Sequence, residues 1–265
     1  MEFRISDKRK KEVFISIFSI LKHSSQNTNL IVNKTAIHIQ GMDKSHVCLF
    51  DLNLSSEWFD FYQIEKEEDI ELCFNTIVFH SMISTKSDDQ ILVLKLDTDN
   101  SETLVIELKN QYDNTSAKKQ DYNKYFTLPL NEYDYDEMNI PQTDYDAEFS
   151  IPSKKVSDML SQLSNFGDNI NIKCASECVD FKSAVDSAEM RVNLTIDDME
   201  SYAVIEDGEV NLTYSLVYIS KMCITNKLSN NIEFSLSNEC PMKIRYDLGD
   251  NSSLVFYIAP QMTED

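Results

Sequence analysis

The segment Ile39–Leu54 reads Ile-Gln-Gly-Met-Asp-Lys-Ser-His-Val-Cys-Leu-Phe-Asp-Leu-Asn-Leu, and it says the most about how this chain folds. Its apolar residues alternate with polar ones on both sides of the short polar stretch Gly41–Ser45. A period of two is typical of a half-buried β-strand, and a polar stretch with a glycine between two such runs is typical of a turn. The segment therefore predicts two β-strands and the connection between them.

Further secondary structure is predicted on both sides of this pair. Apolar residues recur at helical spacing in residues 7–23 and 153–166, which marks each as a helix with one buried face. Shorter helices are predicted at residues 75–85 and 215–225. Alternation or continuous apolar runs predict strands at residues 29–40, 90–96, 102–108, 125–130, 169–175, 179–183, 189–196, 231–236, 242–248 and 253–258, and residues 149–152 lead into the helix at 153–166.

The same order of elements occurs twice along the chain, as helix, strands, helix and strands. We therefore expect an α+β protein of two structurally similar domains, each with two helices on antiparallel sheets. The predicted domains are residues 1–130 and 147–265, joined by a linker at residues 131–146. The linker is rich in acidic residues, contains Pro141 and has no helical apolar stripe. Its apolar Met138 and Ile140 indicate either a partner surface or packing onto the body beneath.

Composition limits the function. The 265 residues are 42% apolar and carry a formal net charge of −21, which argues against a protein that coats nucleic-acid phosphates nonspecifically. Any contact with DNA must come from a local cationic patch. No apolar run is long enough for a membrane span, and the charged residues 7–11 do not fit a secretory signal. We expect an intracellular protein without a membrane partner.

No arrangement of residues predicts catalysis. The four glycines cannot build a glycine-rich phosphate loop, and the four histidines form no paired metal-binding motif. Cys174 and Cys178 lack a second cysteine or histidine pair at ligand spacing. Ser45 and His46 are adjacent but belong to no wider nucleophile–base constellation. We therefore predict that the protein is not an enzyme and has no catalytic residue, cofactor or metal.

The first helix carries the most concentrated positive charge. Residues 8–11 are all basic, and Lys8, Lys11 and Lys22 lie opposite the apolar stripe. This face is either an ordinary solvated surface or one that faces DNA phosphates. The residues alone leave both readings open.

Three motifs resemble one known family. Met42-Asp43-x-Ser45-His46-Val47-x-Leu49, followed by Ser56-Glu57-x-Phe59-Asp60-x-Tyr62, is similar to the first domain of the proliferating cell nuclear antigen (PCNA) family of DNA sliding clamps. Asn139-Ile140-Pro141 with Tyr145 resembles that family's interdomain linker. The segment 256–262, Phe-Tyr-Ile-Ala-Pro-Gln-Met, resembles its C-terminal segment. All three occur in the family's order.

The resemblance implies a DNA-clamp fold, in which three two-domain subunits form a ring around double-stranded DNA. It further implies a DNA polymerase processivity factor, located in the nucleus or, for a divergent viral member, at the viral replication site. Helices would line the hole, and the candidate DNA-facing residues are Lys8, Arg9, Lys10, Lys11, Lys22, Lys86, Lys154, Lys155, Lys221 and Lys227. Asp158 and Ser161 stand where the family generally carries arginines, so the cationic lining is thinner at the third helix.

The resemblance also implies a pocket for a short PCNA-interacting peptide, through which a DNA polymerase, clamp loader, ligase or nuclease would bind. Its predicted residues are Met42, His46, Val47, Leu49, Met138, Ile140, Pro241, Tyr257, Ala259, Pro260 and Met262. Ring closure would join the strand at residues 125–130 to the strand at residues 189–196 of the next subunit. The predicted interface residues are Tyr125, Thr127, Met190, Val192 and Leu194.

Two other functions remain open at this point. The chain could be one subunit of a heterotrimeric, checkpoint-type clamp. It could instead be a monomeric processivity or transcription accessory factor of a large DNA virus. The mass of the purified protein in solution distinguishes these from a homotrimer.

Overall fold

The computed structural model describes residues 1–96, 102–111, 122–131, 138–141, 143–205 and 208–261. The chain divides into two compact units. The first unit contains residues 1–41, 51–137 and 248–253, and the second contains residues 42–50, 138–247 and 254–265. The domain boundaries expected from the sequence remain a prediction.

The described residues form strands and helices in an order that repeats. The first series is β1 (Glu2–Ile5), α1 (Lys8–Ser24), β2 (Asn27–Val32), β3 (Ala36–Met42), β4 (Cys48–Ser55), β5 (Phe61–Gln63), β6 (Ile70–Asn75), α2 (Thr76–Ile83), β7 (Gln90–Leu96), β8 (Thr103–Asn110) and β9 (Lys124–Pro129). The second is β10 (Ala147–Pro152), α3 (Ser153–Leu163), β11 (Asn169–Ala175), β12 (Cys178–Val185), β13 (Ala188–Thr195), β14 (Ser201–Val204), β15 (Val210–Ser215), α4 (Leu216–Met222), β16 (Asn231–Leu236), β17 (Met242–Gly249) and β18 (Ser252–Ile258).

Sheet topology repeats in the same way. In the first series the strand orders are β5-β1-β7-β8-β9 and β4-β3-β2-β6. In the second they are β14-β10-β16-β17-β18 and β13-β12-β11-β15, the same orders displaced by nine strands. Pairing is antiparallel in both series, as between β7 and β8 and between β11 and β12. The predicted α+β class and the two structurally similar halves are confirmed.

An aromatic cluster forms the core of the first unit. Asp7 caps α1 by accepting a hydrogen bond from the Lys10 backbone N–H at 2.8 Å, and the apolar stripe that follows lies inward. The ring centroids of Phe18 and Phe79 are 4.6 Å apart, and those of Phe14 and Phe18 are 5.1 Å apart. These rings join α1 to α2 and hold both helices against the sheets.

In the second unit the corresponding positions carry smaller side chains. Val156, Leu160 and Leu163 of α3 are buried, and the stacked rings of Phe149 and Phe234 have centroids 5.2 Å apart. Burial of such residues provides the main stabilisation of each unit. The exposed face of α3 is left polar.

The structure corrects the predicted elements in several places. The single strand predicted at residues 29–40 is two strands, because the Asn33 side chain accepts hydrogen bonds from the backbone N–H groups of Thr35 and Ala36, both at 3.0 Å, and closes a turn. Helix α3 ends at Leu163, before the predicted Phe166. Strands β1, β5, β6, β10, β14 and β15 were not predicted from the sequence. Some are too short to show an alternating pattern, such as β5 with three residues and β14 with four.

Candidate functional site

The carboxylate of Asp43 holds the turn between β3 and β4. Its Oδ1 accepts hydrogen bonds from the backbone N–H groups of Val47 (2.8 Å) and Cys48 (2.7 Å). Its Oδ2 accepts from the Ser45 N–H (2.9 Å) and from the Tyr218 hydroxyl on α4 (3.0 Å). Burial alone would raise the pKa of Asp43, but these hydrogen bonds together lower it below its usual range. The carboxylate is therefore ionised at neutral pH and fixes the turn.

A mainly apolar cavity of about 310 Å³ lies beside this turn, within the second unit. It is lined by Met42, His46, Val47, Leu49, Met138, Asn139, Ile140, Pro141, Thr143, Tyr145, Cys240, Pro241, Tyr257 and Ala259. The structure thus brings most of the predicted pocket residues together. Pro260 is not among the lining residues, and Met262 lies outside the described part of the chain. The binding of a peptide in this cavity stays a prediction.

The sequence reading missed part of this lining. Asn139, Pro141 and Tyr145 belong to the linker motif and could have been included on that ground. Cys240 shows no pattern beyond its place before Pro241. Burial raises the pKa of Tyr145 to about 12, so its hydroxyl is neutral at physiological pH.

Backbone contacts fix the remaining walls of the cavity. The Ala259 N–H donates to the Val47 carbonyl at 3.0 Å, which joins the C-terminal segment to the turn. Farther along the same segment, Gln261 donates from its backbone to Thr213 at 2.8 Å and from its side chain to Asn169 at 2.7 Å. The C-terminal segment is therefore held against the second unit through residue 261, and Ala259 is its last residue that lines the cavity.

The predicted DNA-facing residues differ in whether a neighbouring side chain pairs with their charge. Lys8 and Lys86 both pair with Asp88, at 2.6 and 3.4 Å. Lys10 pairs with Asp250 at 2.8 Å, and Lys155 pairs with Asp198 at 2.7 Å. The Lys22 ammonium lies 3.4 Å from His80 Nδ1. Acidic neighbours therefore neutralise much of the predicted cationic surface.

Four other predicted cations are exposed on the described surface, namely Arg9, Lys154, Lys221 and Lys227. The Lys221 ammonium lies 5.6 Å from the centre of the Tyr218 ring, within cation–π range. None of the four has an ion-pair partner among the residues that the structure describes. Contact of any of them with DNA remains a prediction.

The prediction that Lys11 faces DNA is wrong. Its side chain is 1% exposed, and its ammonium donates to the backbone carbonyls of Asp88, at 2.9 Å, and of Gln90. Burial lowers the pKa of Lys11, and Lys86 nearby lowers it further. Lys11 therefore fastens the segment 88–90 to α1 and cannot reach a phosphate.

Strands β9 and β13 each lie at the edge of a sheet, as ring closure requires. Tyr125 is 61% exposed and Thr127 is also exposed, whereas Met190 and Val192 are half-buried. Leu194 is 3% exposed, because the apolar side of β13 faces its own unit. The Leu194 side chain therefore does not reach a neighbouring subunit, which corrects the prediction for that side chain, and a subunit contact through its backbone stays a prediction. The backbone edge of β13 remains available for pairing.

No cluster of His, Cys, Asp and Glu side chains among the described residues could hold a metal ion. No helix in that part of the chain is long and apolar enough to cross a membrane.

Comparisons with known proteins agree with one another. Residues 6–136 match the family model of the proliferating cell nuclear antigen N-terminal domain, and residues 139–261 match that of the C-terminal domain. The proliferating cell nuclear antigen of Chaetomium thermophilum is 29% identical over 255 residues, covering 94% of each chain. A crystal structure of PCNA from Thermococcus kodakaraensis has a TM-score of 0.85 at 21% identity, covering 98% of this chain and 99% of that one. At that identity the structural match supports the fold.

Proposed function

Because this chain belongs to the proliferating cell nuclear antigen family of sliding clamps, we propose that it is a DNA polymerase processivity factor. In this proposal three copies form a homotrimeric ring around double-stranded DNA and tether replication and repair enzymes. Members of the family are clamps without enzymatic activity. The protein would act where that DNA is replicated, in the nucleus, or at the viral replication site if this divergent sequence is viral.

The cavity beside the Asp43 turn is the observation that carries the proposal. It has mainly apolar walls from separate parts of the chain, including Val47, Ile140 and Tyr257, with a few polar groups at its margin. Such a site suits a short peptide with one aliphatic and two aromatic anchors. A polymerase, clamp loader, ligase or nuclease would bind through such a peptide. We assign residues 131–146 as the linker and residues 1–130 and 147–265 as the two clamp domains.

Ring closure is proposed through the edges of β9 and β13. Among the described strands neither edge has a partner on its outer side, and an exposed edge strand tends to pair with another chain. Large apolar side chains are exposed beside both edges, with Tyr122 at 74% beside β9 and Ile196 at 49% beside β13. Antiparallel pairing between subunits would continue both sheets and cover these side chains.

A ring also accounts for the charge of the protein. A net charge of −21 opposes tight binding to a polyanion, whereas an encircling protein needs only weak contacts to stay on the duplex. Exposed Arg9, Lys154, Lys221 and Lys227 would supply those contacts. Lys8, Lys10, Lys86 and Lys155, which pair with aspartates, and Lys22 beside His80 would contribute less. Lys11 is excluded because it is buried.

Primer extension by the cognate polymerase and clamp loader tests the proposal. Circular primed DNA should retain the ring and give long products, whereas a linear template with free ends should lose it and the stimulation with it. Equal stimulation on both templates would contradict encirclement. Sedimentation of the chain alone should show a trimer, while a monomer would favour either the heterotrimeric clamp or the monomeric viral factor.

The pocket is tested separately by peptide binding. Replacing Ile140 with Ala should weaken the binding of a labelled peptide that carries the aliphatic and aromatic anchors. The matched control is Ile224→Ala, because Ile224 is 58% exposed in the same unit and does not line the cavity. Equal affinities in the two variants would exclude this cavity as the peptide site.

A further inference from the structure

The four hydrogen bonds to the Asp43 carboxylate are not equivalent. The donors at Ser45, Val47 and Cys48 are backbone N–H groups inside the turn itself. Tyr218 is separated from Asp43 by 175 residues and lies on α4. The turn can therefore close on Asp43 without Tyr218, whose hydroxyl joins it to α4.

Helix α4, which carries Tyr218, is anchored by buried apolar side chains. Leu216, Ile219 and Met222 are each 1% exposed, so the helix is anchored in the core of the second unit. Tyr218 lies on the same helix with its ring half-buried and the Lys221 ammonium 5.6 Å from the ring centre. Its hydroxyl is consequently held at a fixed position opposite Asp43.

The Asp43 turn forms one wall of the cavity and is bonded to the opposite wall. His46 and Val47 line it directly, and the Val47 carbonyl holds the Ala259 N–H of the opposite wall at 3.0 Å. His46 has a φ of 56°, in the left-handed region that costs a non-glycine residue strain. A displaced turn would therefore move both walls together.

We propose that Tyr218 is a positioning residue for the pocket, whose hydroxyl holds the Asp43 turn against α4 in the orientation that accepts a partner peptide. This inference rests on the proposed peptide-binding function of the cavity. Tyr218 is not a lining residue and acts only through Asp43. Its contribution is preorganisation, which lowers the free-energy cost of binding without adding a contact.

Tyr218→Phe is the informative variant. It removes the hydroxyl and keeps the aromatic ring, the contact with Lys221 and the three donors inside the turn. If the turn then occupies its binding orientation for only part of the time, the dissociation constant rises in inverse proportion to that fraction. We expect the dissociation constant to rise by about 3- to 10-fold.

Tyr202→Phe is the matched control. Tyr202 is also half-buried in the second unit, and its hydroxyl donates to the backbone carbonyls of Ala175 and Cys178. It does not line the cavity, and its hydroxyl is bonded at the ends of β11 and β12 rather than at Asp43. The control therefore loses a tyrosine hydroxyl bond of a similar kind at a different place.

The experiment measures fluorescence anisotropy of a fluorescein-labelled synthetic peptide containing a glutamine, an aliphatic residue and two adjacent aromatic residues. Hydrogen exchange at the backbone amides of Ser45, Val47 and Cys48 is followed in the same proteins without peptide. We expect Tyr218→Phe to weaken peptide binding and speed exchange at these amides. Tyr202→Phe should change neither quantity, even if it lowers the melting temperature equally.

Each outcome decides a different question. If the unmodified protein does not bind the peptide, the proposed function of the cavity fails. If it binds, but Tyr218→Phe binds as well as Tyr202→Phe, the positioning role is wrong. An affinity loss without faster exchange in the turn would also overturn it.

A double variant tests whether Tyr218 acts through Asp43. In an Asp43→Ala background, where the acceptor is absent, Tyr218→Phe should change the affinity by less than about twofold. A larger change would show that Tyr218 acts by another route.

Discussion

Replacing Asp43 with Asn tests how the turn is stabilised. The amide keeps one oxygen for Val47 and Cys48 but removes the second acceptor, which serves Ser45 at 2.9 Å and Tyr218 at 3.0 Å. A hydrogen bond to a charged group contributes about 1.5–3 kcal/mol, and bonds in one network are not additive. We therefore expect the free energy of unfolding to fall by about 2–4 kcal/mol near neutral pH.

The effect of Asp43→Asn should depend on pH in a definite direction. The pKa of Asp43 is lower in the folded protein than its ordinary value of 3.8. Its stabilisation is therefore complete above that value and is lost as the pH falls through the folded-state pKa. The asparagine side chain of the variant does not titrate, so the difference in unfolding free energy between the two proteins should shrink as the solution is acidified from about pH 7 to about pH 3.

Urea unfolding followed by circular dichroism at each pH measures this difference. Asp158→Asn is the control, because Asp158 is exposed on α3 and the substitution makes the same change of charge. It should leave the unfolding transition nearly unchanged at neutral pH. A difference between Asp43→Asn and the unmodified protein that is equally large at both pH values would refute the electrostatic explanation. An effect no larger than that of the control would refute the role of the turn.

Two further variants address the other parts of the structure. Lys11→Met should lower the unfolding free energy by about 2–5 kcal/mol, because it leaves the Asp88 and Gln90 carbonyls without their buried donor. Urea unfolding monitored by the fluorescence of buried Trp58 measures this loss, and an effect as small as that of the exposed Lys8→Met would contradict it. Tyr125→Asp should shift sedimentation from trimer towards monomer and leave the circular dichroism spectrum unchanged, because Tyr125 is 61% exposed. Gln63→Asp adds the same charge at the opposite edge of the same sheet, so an equal effect from both would place the subunit contact elsewhere.

Helices and long strands could be predicted because their residues follow a regular spacing. The stripe of α1 and the alternation of β4 each reflect one buried face, and a buried face is visible in a sequence. Strands β5 and β14 could not be found this way, since three or four residues cannot establish a period. They are formed by pairing with β1 and β10, which is a long-range contact without a local signal.

Charged residues were harder to place than apolar ones. Lys11 occupies the same basic run as Lys8 and Arg9, yet a backbone turn at residues 88–90 captures its ammonium. The expectation that the Leu194 side chain contacts another subunit failed for a similar reason. Alternation shows that β13 has an apolar side, but it does not show whether that side faces its own unit or another chain. Spacing identifies the face of an element but not the partner of that face.

The motif that carries the family resemblance is also the motif whose geometry is most constrained. Asp43 accepts three turn N–H groups, which a shorter or neutral side chain at this position could not all satisfy. His46 adopts a positive φ, and Val47 joins the turn to the C-terminal segment through Ala259. Each of these residues has a separate backbone task in one tight turn, so their order in the sequence cannot be exchanged without moving a wall of the cavity. A short motif can therefore identify a binding site when its residues build the backbone of that site, even where one of them, such as Asp43, does not line the cavity itself.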